Sequence, residues 1–332
     1  MNIWLLPIEP LVERYSEQWL RWFPEELQRL GCNVVVLGGY TFSDKIERGQ
    51  FLDVYGTHHY KATQLSLFAQ QLNAGAVKDG DWVLLLDGWN PAVEQLAYMR
   101  DLGGVKFKIA SCWHAGSYDP WDQLAQHPTM SDWAAYAERA HIAAVDRVFV
   151  ATSFHAQLLG RARGGERKIV VTGFPLHTEE WADHSMPWTE RSRRVVWPHR
   201  IAPEKAPESF EHIRQLYVST YGDDGTEWVR SKDACPTKAS YYALLGSARV
   251  AVSTAYQETW GIAMLEAASL GCHVVVPDRL SYQDLYDQHD RYTDRASAVE
   301  KIHAGLDALE KGKRWTNPLA ISNMVACMRS CP

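Results

Sequence analysis

Short apolar runs recur along the chain, each closed by a turn signal and followed by apolar residues at helical spacing. NIWLLPI (2–8), NVVVLGGY (33–40), DGDWVLLLDG (79–88), KFKIASCWHAG (106–116), DRVFVATS (146–153) and KIVVTGFPL (168–176) read as strands. Their apolar residues run on without polar alternation, the pattern of strands buried on both faces. Helical spacing fills the intervals: 13–31 with a break at Pro24, about 62–75, 90–103 with Pro91 in its first turn, 130–145, and a helix starting at Phe154. The alternation predicts an α/β chain whose mostly parallel sheet is covered by helices on both sides.

A second series opens with VVWPHR (195–200), a strand, and a helix starting at 207–209. GDDG (222–225) reads as a turn, and VAVST (250–254) as another buried parallel strand. The loop AYQETWG (255–261) then opens a helix carrying Ile262, Leu265 and Ala268, LGC (270–272) stops it, and HVVVP (273–277) is the next strand. TEEWADHSMPWTERSRR, between the two series, is polar and without periodicity, so it reads as a linker. The expected organisation is a first domain over 1–178, a linker over 179–194, a second domain over 195–317 and a C-terminal helix over 318–332. Only about 45 residues separate the second domain's first helix from Glu258, so that domain reads as trimmed.

Composition narrows the class. A chain of 332 residues is long enough for two cores, and 46% apolar with 22% charged residues describes an ordinary globular protein. No run approaches the ~20 apolar residues of a membrane span, and MNIWLLPIEP lacks the basic start and cleavage site of a signal peptide. The six cysteines form no CxxC pair and mostly lie in apolar surroundings, which suits buried thiols in a reducing cytosol; a cytoplasmic location, the host's if the chain is viral, and no membrane partner are expected. A net charge of −6 gives no global attraction to nucleic acid, leaving RARGGERK (161–168) and ERSRR (190–194) as local phosphate tracks or as solvated loop charge. Most of the 14 tryptophans belong in cores, but Trp89, Trp113, Trp121, Trp197 and Trp260 stand beside loops that end strands, where flat rings suit stacking on a sugar or a base.

Two acidic residues frame the candidate chemistry. Glu258 stands at the carboxyl end of a strand and Glu266 two turns into the following helix, whose first N–H groups at Gly261 favour a phosphate. That layout matches a sugar nucleotide, with hydroxyl groups on either side of a diphosphate; two surface glutamates of an ordinary αβ unit are the plain alternative. Upstream, Arg200 and Lys205 follow the apolar strand VVW in one loop, where a fork of donors and a point charge would together neutralise a diphosphate. Taken singly, either is an ordinary solvated charge.

The run QETWGIAMLEAASLGCHVVVP (257–277) resembles the E-x7-E signature of retaining GT-B glycosyltransferases of the family-4 type. The resemblance implies two Rossmann-like domains with parallel sheets facing a central cleft, no metal and no cofactor beyond a UDP- or GDP-linked sugar. It places Glu258 on the donor sugar, Glu266 on the ribose, and Arg200 and Lys205 on the diphosphate, with Thr259, Trp260 and Gly261 completing the donor site. In the resembled family the C-terminal tail crosses back to the first domain. SCWHAGSYDPWD (111–122), DRVFVATSFHAQLL and WPHRIAPEKAPESF are similar to the tRNA-queuosine mannosyltransferase branch, which implies a role for His114 near the reacting sugar carbon. WHAGSYDPW departs from that branch in lacking its glutamate and asparagine after the histidine.

PIEPLVERYSEQW (7–19) lacks the glycine-rich loop often found after the first strand, and resembles openings of bacteriophage glycosyltransferases that modify hydroxymethylated DNA bases. If the strand ends at Ile8, Glu9, Glu13 and Arg14 line the acceptor side of the crevice, with Asp87, Trp89 and Trp113 as further candidates; capping of a helix start is the alternative for the carboxylates. No P-loop, G-x-G-x-x-G or G-x-S-x-G occurs, and His58–His59 and GDDG lack convergent metal ligands. The expectation is a retaining glycosyltransferase that moves a sugar to a hydroxylated nucleobase in DNA or RNA, with 5-hydroxymethylpyrimidine in phage DNA preferred. A glycosyltransferase for a small molecule or glycan and a non-catalytic sugar-nucleotide binder are the alternatives.

Overall fold

The computed structural model describes residues 1–42, 53–313, 315 and 319–331, and the chain divides into two units, Met1–Pro175 with Asn317–Pro332 and Leu176–Thr316. In the first unit the strands are β1 (Asn2–Leu6), β2 (Asn33–Val36), β3 (Trp82–Leu85), β4 (Lys108–Cys112), β5 (Arg147–Val150) and β6 (Ile169–Val171). They pair in parallel in the order β2-β1-β3-β4-β5-β6, with Leu5 opposite Leu84 and Leu85 opposite Ser111. The intervening helices are α1 (Tyr15–Arg29), α2 (Val54–Asn73), α3 (Ala92–Gly103), α4 (Gln123–Gln126), α5 (Ser131–Ala144) and α6 (Ser153–Arg163).

Four of the six apolar runs read as strands form the core: Leu6, Val83, Leu85, Ile109, Val148 and Val150 meet Phe68, Leu96 and Leu159 from the helices and Phe107 from the segment before β4. β2 and β6, at the sheet edges, are half-buried to exposed and correct the expected burial on both faces. Pro24 does not break α1, which runs on through it. Trp19, Trp22, Phe23 and Leu27 are buried on either side, so one lost backbone bond is outweighed by packing. α2 begins at Val54, earlier than its apolar spacing suggests, because Asp53 caps it and accepts the Gly56 N–H at 3.1 Å.

The second unit contains β7 (Ser192–Trp197), α7 (Pro207–Tyr221), β8 (Glu227–Arg230), α8 (Ser231–Ala234), α9 (Lys238–Ser247), β9 (Ala248–Val252), α10 (Ile262–Ser269), β10 (His273–Pro277), α11 (Tyr282–Leu285), β11 (Arg291–Tyr292) and α12 (Arg295–Asp307). Its parallel sheet has the order β11-β10-β9-β7-β8, with a core of Val195, Trp197, Phe210, Tyr217, Val250, Val252, Val275, Ile302 and Leu306. The last helix, α13 (Ala320–Arg329), belongs to the first unit, where Arg329 donates to the Leu30 carbonyl at 2.9 Å and Lys108 to the Cys331 carbonyl at 2.7 Å. Residue 318, where the tail helix is expected to begin, and residue 332 lie outside the described residues.

The expected linker is a correction. Residues 178–194 are built into the second unit, with a 3-10 turn at Thr178–His184. Trp181 is buried, stacks on Tyr242 at 4.7 Å and donates its indole N–H to Ser269 Oγ at 2.9 Å. Trp188 donates to the Ala308 carbonyl, and buried Arg191 donates to the Ala248 carbonyl at 2.8 Å. Two indoles and a guanidinium with all these partners hold the polar stretch down.

Candidate active site

Both sheets change direction once. In the second unit β7 is followed by β8 on one side and β9 on the other, so the crevice at the carboxyl ends of β7 and β9 is the topological switch point where open α/β sheets bind ligands. Two loops meet there, and they are sewn together. Tyr256 N–H donates to the Glu204 carbonyl at 2.8 Å, and Thr254 Oγ1 donates to the Lys205 carbonyl at 2.8 Å while accepting the Trp197 indole N–H at 2.9 Å.

Lys205 is the hub of this crevice. Its ammonium donates to the Gln257 carbonyl at 2.6 Å and to Glu258 Oε2 at 3.1 Å. Glu258 Oε1 accepts the Gly261 N–H at 3.0 Å, so cation, carboxylate and helix start form one continuous group. Burial pushes the Glu258 carboxyl upward, but Lys205 and the Gly261 N–H prevail and hold it below its ordinary value. Gly261 is required here: its φ is +76°, and a Cβ would stand 3.1 Å from the Tyr282 ring. The first N–H groups of α10 point out of a helix start that has no side-chain cap.

Arg200 is exposed and donates from Nε to Glu204 Oε1 at 3.0 Å. His199, its neighbour, is buried against Ser253 Oγ at 2.8 Å, and Ser253 in turn lies 2.7 Å from the Tyr282 hydroxyl. Burial drives His199 down to about 3, with Lys205 adding to the effect, so it is neutral at physiological pH. Thr259 and Trp260 are buried in the same loop. Glu266 is buried one helix face away, where Tyr241 donates to it at 3.0 Å, Tyr242 at 3.1 Å and Lys238 at 3.0 Å. Trp181 braces that group by stacking on Tyr242.

The switch point of the first unit lies between β1 and β3. Asp87, just past β3, is paired with Lys61 of α2 at 2.6 Å and accepts the Trp89 N–H at 2.9 Å. Burial raises the Asp87 carboxyl, yet Lys61 outweighs it and keeps the group an anion. Lys61 also donates to the Trp89 carbonyl at 2.7 Å. His114, after β4, shares a 2.8 Å hydrogen bond with the Leu86 carbonyl and is surrounded by Trp19 at 5.1 Å, Phe174 at 4.9 Å and Tyr15 at 5.9 Å. Burial in that cage lowers its affinity for a proton. Glu9 is buried and accepts the Thr57 hydroxyl at 2.6 Å, while Arg14 caps the start of α1 with extended backbone.

Trp113 is a correction to the acceptor set. Its ring is 1% exposed, lies against Gly88 where any Cβ would strike it, and donates to Ser111 Oγ at 2.9 Å. Trp197 is likewise core. Trp121, by contrast, is 42% exposed. The residues that sequence reading missed are Lys61, Glu138, Lys238, Tyr241, Tyr242 and Tyr282. Each sits inside a helix and gains its meaning from a partner distant in sequence. Among the described residues no group of three or more His, Cys, Asp or Glu side chains is placed to hold a metal, and no helix is long and apolar enough to cross a membrane.

No family model matches the chain. A tRNA-queuosine alpha-mannosyltransferase of Drosophila melanogaster is 29% identical over 167 residues, which take in 42% of this chain and 44% of that protein, so the match spans less than half of the relative's length. Among solved structures, an alpha,alpha-trehalose-phosphate synthase (UDP-forming) from Burkholderia vietnamiensis superposes with a TM-score of 0.65 at 12% identity over 99% of this chain and 98% of its own. A UDP-GlcNAc 2-epimerase from Methanocaldococcus jannaschii does so with a TM-score of 0.54 at 10% identity over 99% of both. A synthase and an epimerase on one fold show that the scaffold alone leaves the reaction open. The chain has the GT-B type of fold, two Rossmann-like units each built on a parallel sheet.

Proposed function

We propose that this chain is a retaining glycosyltransferase that binds a nucleotide-diphosphate sugar at the switch point of its second unit and carries its acceptor-binding residues in the first. The observation that carries the reading is the continuous group Lys205–Glu258–Gly261 at the start of α10. Breaking the bond between the anomeric carbon and the phosphate oxygen builds negative charge on the diphosphate. A fixed ammonium, the Arg200 guanidinium and the N–H groups of a helix start stabilise such charge without reorganising. Glu258, kept ionised, orients a sugar hydroxyl, and Glu266 serves the ribose. The acceptor hydroxyl attacks from the face the nucleotide leaves, and its proton passes to the departing phosphate oxygen, so configuration is retained with no enzyme nucleophile, metal or cofactor.

For the acceptor, the reading favours a hydroxylated nucleobase. Its support is the partly exposed Trp89 next to the ionised Asp87, and a partial likeness to a protein named for transfer to a modified tRNA nucleoside. A 5-hydroxymethylpyrimidine in DNA combines a flat ring with a primary hydroxyl, which matches that pair. Incubation with radiolabelled UDP- and GDP-sugars is the test. Label entering hydroxymethylated DNA but not unmodified DNA supports the full reading; absence of both transfer and acceptor-free hydrolysis with every donor refutes it.

A further inference from the structure

Glu138 of α5 has no exposed surface, yet every oxygen is engaged by a donor. Its Oε1 accepts the Ser117 N–H at 2.6 Å and the Trp89 indole N–H at 3.1 Å; its Oε2 accepts the Ser117 hydroxyl at 2.8 Å and Arg163 Nε at 2.6 Å. Arg163 also donates to Ser117 Oγ at 2.9 Å. A buried ion pair of this kind is a poor way to gain stability compared with apolar packing, and its attested advantage is a fixed geometry. The geometry fixed here joins the loop after β3, which carries Trp89, to the loop after β4, which carries Ser117.

Trp89 is thereby held three times over. Its indole is tied to Glu138, its N–H to Asp87 and its carbonyl to Lys61. It nevertheless remains partly exposed, and it meets Trp133, itself 51% exposed, edge-on at 6.1 Å and 76°. A pinned ring with a second ring set against it as a wall is a preorganised surface for one flat ligand, since little freedom remains to be lost on stacking.

We propose that the Trp89 face is the stacking surface for the acceptor nucleobase and that Glu138 is its positioning residue. The inference rests on the acceptor reading above. A stacked base leaves its hydroxyl to Asp87, whose side chain keeps 25% of its surface exposed. The test is fluorescence anisotropy with a labelled short single-stranded oligodeoxynucleotide bearing one 5-hydroxymethylcytosine, applied to the full chain and to Trp89→Leu, Trp89→Phe and Glu138→Gln. Binding should weaken by about tenfold in Trp89→Leu and about fivefold in the other two, the size of a lost or loosened stacking contact. Affinity for UDP and GDP should stay unchanged, and the Trp89 indole 15N–1H resonance should move in Glu138→Gln. Equal binding by all four proteins, or no binding by the wild type, overturns the proposal. Oligonucleotide binding that depends on Trp89 in a protein with no affinity for UDP or GDP upholds it while refuting the donor assignment. Should Glu138→Gln fail to fold, the two Trp89 variants decide.

Discussion

The two units share one strand order and differ in what they place at its switch point. Reading outward from the first strand of each, β2-β1-β3-β4-β5 and β8-β7-β9-β10-β11 are the same arrangement. In the second unit the crevice holds two cations, Lys205 paired with Glu258 and Arg200 paired with Glu204, with an uncapped helix start beside them and a neutral His199 behind. In the first it holds rings around a neutral His114, the pair Lys61–Asp87 and the buried Glu9. Cations with a helix dipole suit a polyanion, and rings beside carboxylates suit an uncharged aromatic alcohol. The scaffold supplies the place, and side-chain type divides the labour.

The largest effect that would sharpen this contrast is at Lys205. Lys205→Met should lower transfer, or acceptor-free donor hydrolysis, by about 10²–10³-fold, the usual cost of removing a preorganised donor at developing charge; steady-state kinetics on the folded protein measures it. Each unit also contains a buried imidazole, His155 and His199, that burial drives down to about 3. The unfolded chain therefore binds protons that the folded one refuses, and stability is lost as pH falls below the ordinary histidine value of about 6.5. Between pH 6.5 and 5 each should cost about 1–2 kcal/mol, visible as a falling denaturation midpoint, and His199→Gln should remove only its own share of that slope.

Gly261→Ala should destabilise the second unit by about 1–2 kcal/mol, because a left-handed backbone position gains a Cβ against Tyr282. Thermal denaturation reads it, and weaker UDP binding should accompany it. Lys61→Met should be the mildest, a rise of about tenfold in the acceptor concentration for half-maximal rate, in line with one charge-assisted contact of about 1.5 kcal/mol, with donor binding unchanged. Equal losses on the donor and acceptor sides in that variant would break the division of labour.

Much of the fold was legible because parallel strands buried on both faces leave unbroken apolar runs, as DWVLLL and HVVV do. β8 left no such trace, being short with exposed end residues, and β11 has only two residues. The stretch 178–194 hid its packing in a polar background, although two tryptophans beside an arginine were the signal that it is not free. In the site, Glu258, Lys205 and Arg200 could be found because they lie in the loops that follow β7 and β9. Lys61 and Glu138 could not, since their partners Asp87, Trp89 and Ser117 are brought to them only by the tertiary fold.

The central claim is that a diphosphate is held by the Lys205 group at the start of α10, and calorimetric titration tests it most directly. UDP and GDP, with uridine and guanosine as uncharged controls, should be titrated into the wild type and Lys205→Met. The account predicts that one diphosphate binds the wild type with one-to-one stoichiometry and loses at least about tenfold in affinity in the variant, as expected for a lost charge-assisted contact, while its nucleoside is insensitive to the change. Equal affinity of both proteins for the diphosphate would contradict it.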